Sequence, residues 1–137
     1  SYQKILELKQ LTGDRRDLIP LYIQMAHCYF RLDQFEKSLL VTLEGLRRQP
    51  RNKIERAELR SYLTNNYYEL GRCREAIDEA SKTLKIARKF HGDNIFYVRL
   101  ALSYYKIGDS ANFKRCRALC RKRFRHDSWI NYLDKLM

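Results

Sequence analysis

The chain has 137 residues, 45% hydrophobic and 32% charged, with five glycines and two prolines, a composition suited to one globular domain. Its longest apolar runs, such as Leu39-Leu40-Val41, fall far short of the roughly 18 residues needed to cross a bilayer, and Ser1-Tyr2-Gln3-Lys4 lacks the features of a secretory signal. The net charge of +12 attracts anionic partners and says little about fold.

A chain opening at Ser1 rather than Met is expected to be an excised fragment. Four cysteines with no Asn-x-Ser/Thr acceptor fit reduced thiols better than a disulfide framework. An intracellular location is therefore expected, in the cytoplasm or at a cytosol-facing membrane surface.

In chain order, Tyr2 to Leu11 has helical spacing at Ile5, Leu8 and Leu11 and stops at Thr12-Gly13-Asp14. It reads as the second helix of a partial preceding repeat over 1–14. The following segments reveal the period. Met25-Ala26-His27-Cys28-Tyr29-Phe30-Arg31-Leu32-Asp33 shares one template with the nine residues from Leu63 to Gly71 and the nine from Leu100 to Gly108. The blocks start 38 and then 37 residues apart, within the range of helical-pair arrays.

Each block reads as a helix leaving through a left-handed residue, at Asp33, Gly71 and Gly108. A second helical pattern follows each turn. Phe35, Leu39, Thr42 and Leu46 carry the first, closed by Pro50; Cys73, Ala76, Ile77, Ala80, Leu84 and Ala87 carry the second, closed near Gly92; Phe113, Cys116, Cys120 and Phe124 carry the third. Small residues at Ala26, Thr64 and Ala101, and at Ser38, Ala76 and Cys116, let paired helices approach to about 8–10 Å. Tyr29, Tyr67 and Tyr104 fill the space beside them. Finally, Asp127-Ser128 caps a last helix striped by Trp129, Tyr132, Leu133 and Leu136, suited to cover the open end of a stack.

These residues resemble the tetratricopeptide repeat family over roughly 19 to 125. Tyr22, Ala26, Tyr29, Phe35, Leu46 and Pro50 match its pattern, as do Leu63, Tyr67, Gly71, Ala76, Ile77 and Ala80. The third repeat departs, because the expected aromatic comes late, at Phe113, implying a turn about three residues longer. The long period implies longer helices or loops around Asn52 to Glu55 and near His91-Gly92-Asp93.

The resemblance implies an all-α fold, a right-handed α-α superhelix of about three helix pairs in a single domain. The pairs span 19–52, 57–90 and 94–125, with a partial repeat over 1–14 and a capping helix over 127–137.

In such a solenoid the first helix of each pair lines the concave face. Ile23, His27, Phe30 and Arg31, then Tyr62, Asn65, Tyr68 and Glu69, then Val98, Arg99, Leu102, Tyr105 and Lys106 are the positions expected there. Tyr and Arg are enriched where binding energy concentrates, so a peptide or helix of a protein partner is the expected ligand. Packing of Phe30, Tyr68 and Tyr105 against neighbouring repeats is the competing reading. Some family members clamp the terminal carboxylates of heat-shock chaperones. The corresponding positions here are Ile23, His27, Tyr62, Ile95 and Arg99, of which Arg99 alone agrees, so that mode is not expected.

Between Ala111 and His126 there are seven bases, Lys114, Arg115, Arg117, Arg121, Lys122, Arg123 and Arg125, and no acid. A second basic group, Arg47, Arg48, Arg51, Lys53 and Arg56, flanks the first inter-repeat loop. The run on 111–126 is an alternative docking surface for RNA, DNA, an anionic membrane or an acidic protein, although base stacking has only Phe113 and Phe124 to offer. A solvated helix face is the plainer explanation.

Cys116 and Cys120 share a helical face, but Cys28, Cys73, His27, His91 and His126 add no zinc spacing, so buried small residues are expected. Acids such as Glu75, Asp78 and Glu79 alternate with Lys82 and Lys85 in helical pairs. No phosphate loop, H-E-x-x-H or G-x-S-x-G is present. Catalysis, a cofactor, a metal and a small-molecule substrate are not expected.

Overall fold

The computed structural model describes residues 18–86, 93–123 and 128–136. The expected partial repeat over 1–14, the loop at His91-Gly92, and Phe124, Arg125 and Asp127 lie outside these residues. Seven helices and no strand occur among the described residues: α1 (Leu18–Arg31), α2 (Phe35–Arg47), α3 (Lys53–Glu69), α4 (Cys73–Ile86), α5 (Asp93–Lys106), α6 (Ser110–Arg123) and α7 (Ser128–Lys135). The architecture is an all-helical solenoid.

The three turns within pairs share one geometry. Asp33, Gly71 and Gly108 have φ of 59°, 77° and 79°. The N–H of each donates to the carbonyl three residues back, and the next N–H reaches five back: Gln34 to Tyr29 at 2.9 Å, Arg72 to Tyr67 at 2.8 Å, Asp109 to Tyr104 at 2.9 Å. This double closure satisfies carbonyls that a helix end leaves open. In every case the following helix begins two residues after the left-handed position.

The third turn is therefore not longer, contrary to the expectation drawn from Phe113. The first hydrogen bonds of the second helices fix the alignment: Ser38 to Gln34, Ala76 to Arg72 and Phe113 to Asp109, all 3.0 Å. Phe113 occupies the slot of the small residues Ser38 and Ala76, and Cys116 does not. All three are fully buried. An aromatic-to-aromatic match misplaced the alignment because backbone hydrogen bonds, not side-chain type, define it.

Seven residues further on, Gly45, Thr83 and Cys120 share a second buried slot. At Gly45 a Cβ would stand 3.1 Å from Leu59 Cδ2 and 3.2 Å from Tyr22 Cβ, so a larger residue would require these packed side chains to shift by a few tenths of an ångström. The longer first period is absorbed as helix: α3 has 17 residues against 14 in α1. Its start is set by Asn52, whose side chain accepts from the N–H groups of Ile54 at 2.8 Å and Glu55 at 3.1 Å.

Curvature follows from which helices touch. First helices meet one another, α1 with α3, α3 with α5 and α5 with α7, whereas α2 and α4, or α4 and α6, do not. Helices close on one side and splayed on the other bend the stack, with α1, α3 and α5 inside. Two core clusters result. Leu18, Tyr22 and Met25 form one, with Tyr29 and Val41 against it. Tyr68, Phe96, Ala101, Phe113, Cys116, Cys120 and Leu133 belong to the other. Leu133 brings α7 into that core, while Tyr132 is 49% exposed and stands off the stripe expected for it. The side chain of Trp129 is outside the described set.

Candidate functional site

The inner flank repeats a three-residue arrangement across successive pairs. In the first, His27 Nδ1 lies 2.7 Å from the Tyr62 hydroxyl, and the Phe30 ring packs edge-on to Tyr62 with centroids 6.1 Å apart. In the second, Arg99 Nε donates to Asn65 Oδ1 at 2.7 Å, and the guanidinium sits 4.8 Å from the centre of the Tyr68 ring. His27 and Asn65 hold the same template position, as do Phe30 and Tyr68, and Tyr62 and Arg99 each precede the next block by one residue. The pairs are thus equivalent rungs, each tying one first helix to the next.

A line of charge runs beside the rungs. Arg31, Glu69 and Lys106 share one template position and are all exposed, giving plus, minus, plus across adjacent helices. Neighbouring charges are spaced by helix packing, about 8–10 Å. The line is tied to the second rung. Glu69 Oε1 is 3.9 Å from Arg99, and Lys106 Nζ stands 4.0 Å above the Tyr68 ring. Two cations on one ring make a polarised, partly desolvated patch.

Burial divides the expected groove residues. Leu102 and Val98 lie in the core at 3% and 4% exposure and present no surface, which corrects their assignment to the groove lining. Tyr68 is also in the core and offers little more than the ring face already covered by Arg99 and Lys106. Phe30 is half-buried, packing on Phe35 at 5.3 Å as well as on Tyr62. Burial, and next the Glu58 charge, push the Tyr62 hydroxyl up from its ordinary pKa. Tyr105 remains 41% exposed, its ring 5.5 Å from Phe113. The inter-helix pairing was not foreseen from sequence. Its only signal is the near-constant separation of 35 and 34 residues between polar partners.

The basic surface is less uniform than its sequence. Arg121 is bound to Asp134 of α7, Nε donating at 3.0 Å, and Arg117 lies on the Phe113 ring at 5.4 Å. Lys114, Arg115 and Lys122 are exposed. The side chain of Arg123, like all of Arg125, falls outside the described set. In the other basic group, Arg47 forms two hydrogen bonds to Glu44, and Arg48 donates to the Tyr22 hydroxyl at 2.9 Å. Arg51, Lys53 and Arg56 of that group are exposed.

Cys116 and Cys120 are buried, and burial pushes the Cys116 thiol up to about 11, so it stays protonated and is a poor ligand. No group of three His, Cys, Asp or Glu side chains suited to a metal occurs among the described residues. No helix among them is long and apolar enough to cross a membrane.

No protein-family model matches the chain, and no curated protein matches it. Among solved structures it is similar to the Hsp90 co-chaperone Cns1 from Saccharomyces cerevisiae, in its delta69 form, with a TM-score of 0.82 and 16% identity over 90% of this chain. The match covers 39% of that solved chain. At this identity the likeness bears on the fold, and it agrees with a tetratricopeptide-like solenoid.

Proposed function

We propose that the chain is a non-catalytic interaction module that holds a segment of a protein partner across α1, α3 and α5. The observation that carries this reading is the pair of equivalent rungs flanked by the alternating line Arg31, Glu69, Lys106. The rungs make the flank rigid, so little ordering entropy is lost on binding. Half-exposed Phe30 and Tyr105 supply apolar contact, and the charged line supplies orientation. A segment bearing acid, base and acid at intervals matching the helix spacing complements it.

The co-chaperone role of the structural neighbour is in keeping with a protein ligand. Capture of a chaperone carboxylate tail by the family's clamp is not part of the proposal. Of Ile23, His27, Tyr62, Ile95 and Arg99 only the last has the required chemistry, and its guanidinium already engages Asn65 and Tyr68. Cys28, Cys73, Cys116 and Cys120, none of them in a disulfide, suit a reducing, intracellular setting.

Selection of a random-peptide display library on the whole chain tests this. Binders are re-measured on an Arg31→Ser/Tyr105→Ser/Lys106→Ser variant, whose three sites are exposed. Losses of about tenfold or more are expected for most binders. Binders indifferent to the triple change place recognition elsewhere and defeat the reading.

A further inference from the structure

We infer that the outer face of α6 is a second docking surface, independent of the groove, and that its occupant is an acidic amphipathic helix of a protein partner. The three second helices differ in how their bases are balanced. On α2, Glu44 holds Arg47 at 2.6 Å; on α4, Asp78 holds Lys82 at 3.0 Å, and Glu75 holds Arg72 in the preceding turn at 2.7 Å. The whole of α6 contains no Asp or Glu. Two of its bases are taken up within the fold, Arg117 by Phe113 and Arg121 by Asp134.

Lys114, Arg115 and Lys122 remain on the outer side with no ion pair among the described residues. Asp109, the acid that feels the Arg115 charge, has its carboxylate occupied by the Asn112 side chain at 2.7 Å. Like charges crowded on one helix repel, and an external acid relieves that repulsion.

The apolar content of the same stripe favours a protein helix over nucleic acid. Residues 114, 115, 118, 119 and 122 follow helical spacing and share one face. Exposed Ala118 lies between Lys114 and Lys122, and Leu119, 40% exposed, lies along one edge of the face beside Arg115. A phosphate backbone has no group to set on a leucine, and the face carries no exposed aromatic ring for a base, since Phe113 is fully buried. A helix with an apolar ridge alongside its acids satisfies both parts: the ridge covers Leu119, Ala118 allows close approach, and the acids meet Lys114, Arg115 and Lys122.

Fluorescence anisotropy on the whole chain tests the assignment with a labelled peptide of about 20 residues, long enough to hold helix, bearing a Leu ridge flanked by Glu. A scrambled peptide of identical composition and an oligo-dT strand serve as comparisons. The ordered peptide is expected to bind at least about tenfold more tightly than the scrambled one. Lys114→Glu/Arg115→Glu/Lys122→Glu should remove that binding, Leu119→Ser should weaken it several-fold, and the groove triple variant should leave it unchanged.

Equal binding of both peptides, no binding of either, or indifference to Leu119→Ser overturns the assignment. Tighter binding of oligo-dT with the same dependence on the three bases gives the face to nucleic acid instead. Loss in the groove variant alone would assign the peptide to the groove, overturning this surface while sparing the proposed function.

Discussion

Ser38 and Ser103 are both fully buried hydroxyls, and their surroundings give them opposite effects on stability. Ser38 Oγ donates to the Ala26 carbonyl at 2.9 Å and accepts from Asn66 Nδ2 at 2.8 Å, stitching α1, α2 and α3 together. Ser103 holds the template position of Asn66, and by the same alignment the residue opposite it is Ala76, which has no hydroxyl; its Oγ is without a partner. Ser38→Ala is expected to cost about 1–3 kcal/mol, because Asn66 is left buried without its acceptor, whereas Ser103→Ala is neutral or stabilising. Urea midpoints at constant slope measure both. Cys116 adds a pH dependence. Unfolded, the thiol loses its proton near the ordinary 9.0; folded, burial holds it to about 11. Stability is full below pH 9.0 and declines as pH rises toward 11, since the unfolded state alone releases the proton. Cys116→Ala should make that decline shallower. Tyr62, Tyr67 and Tyr104, raised by burial, keep some of it in place. The sequence disclosed Ser38 as a small residue but not its hydrogen bonds, because its partner Asn66 is 28 residues away.

Turns and caps were the most legible features, because their chemistry is local. Gly71 and Gly108 have nothing within 4 Å of where a Cβ would project, so Gly→Ala there is opposed by backbone conformation alone. A loss of about 1–2 kcal/mol is expected at either site, less for Gly71→Asn, since Asn tolerates the left-handed region as Asp33 does in the first turn. Gly45 is the reverse case. Its helical backbone favours Ala, but a Cβ would press on fully buried Leu59 and Tyr22 at 3.1 and 3.2 Å, closer than ordinary contact. Thermal melts of Gly71→Ala, Gly71→Asn and Gly45→Ala separate the two mechanisms: Asn restores the first site only in part, and no left-handed residue helps the second. What the elements hid was alignment across them. Phe113 looked like a late counterpart of Phe35, yet it fills the slot of Ser38 and Ala76, and nothing in residue type announces that an aromatic has entered a small-residue position.

At the scale of the whole molecule, the recurring block revealed the stack, since its period of 37 and 38 residues is long enough for two helices and a turn. The candidate groove was legible only in outline. Helical spacing placed His27, Tyr62, Asn65 and Arg99 on inner helices, but the same spacing placed Leu102 and Val98 there too, and only the packing of α3, α5 and α7 decides which are covered. That packing has an energetic consequence. Helices touch only their next and next-but-one neighbours, so stability is a sum of local interfaces rather than of one core. Leu133, fully buried in the cluster built on Phe96 and Phe113, belongs to a different cluster from Leu18, Tyr22 and Met25. Leu133→Ala is expected to cost about 2–4 kcal/mol by removing buried side chain and leaving a cavity. In a globular core that loss would speed hydrogen exchange everywhere. Here the amides of α5 and α6 should exchange faster while those of α1 and α2 change little, as measured peptide by peptide by mass spectrometry. A uniform acceleration would mean that the two clusters unfold as one unit, and the rungs joining α1 to α3 and α3 to α5 would then be the couplings responsible.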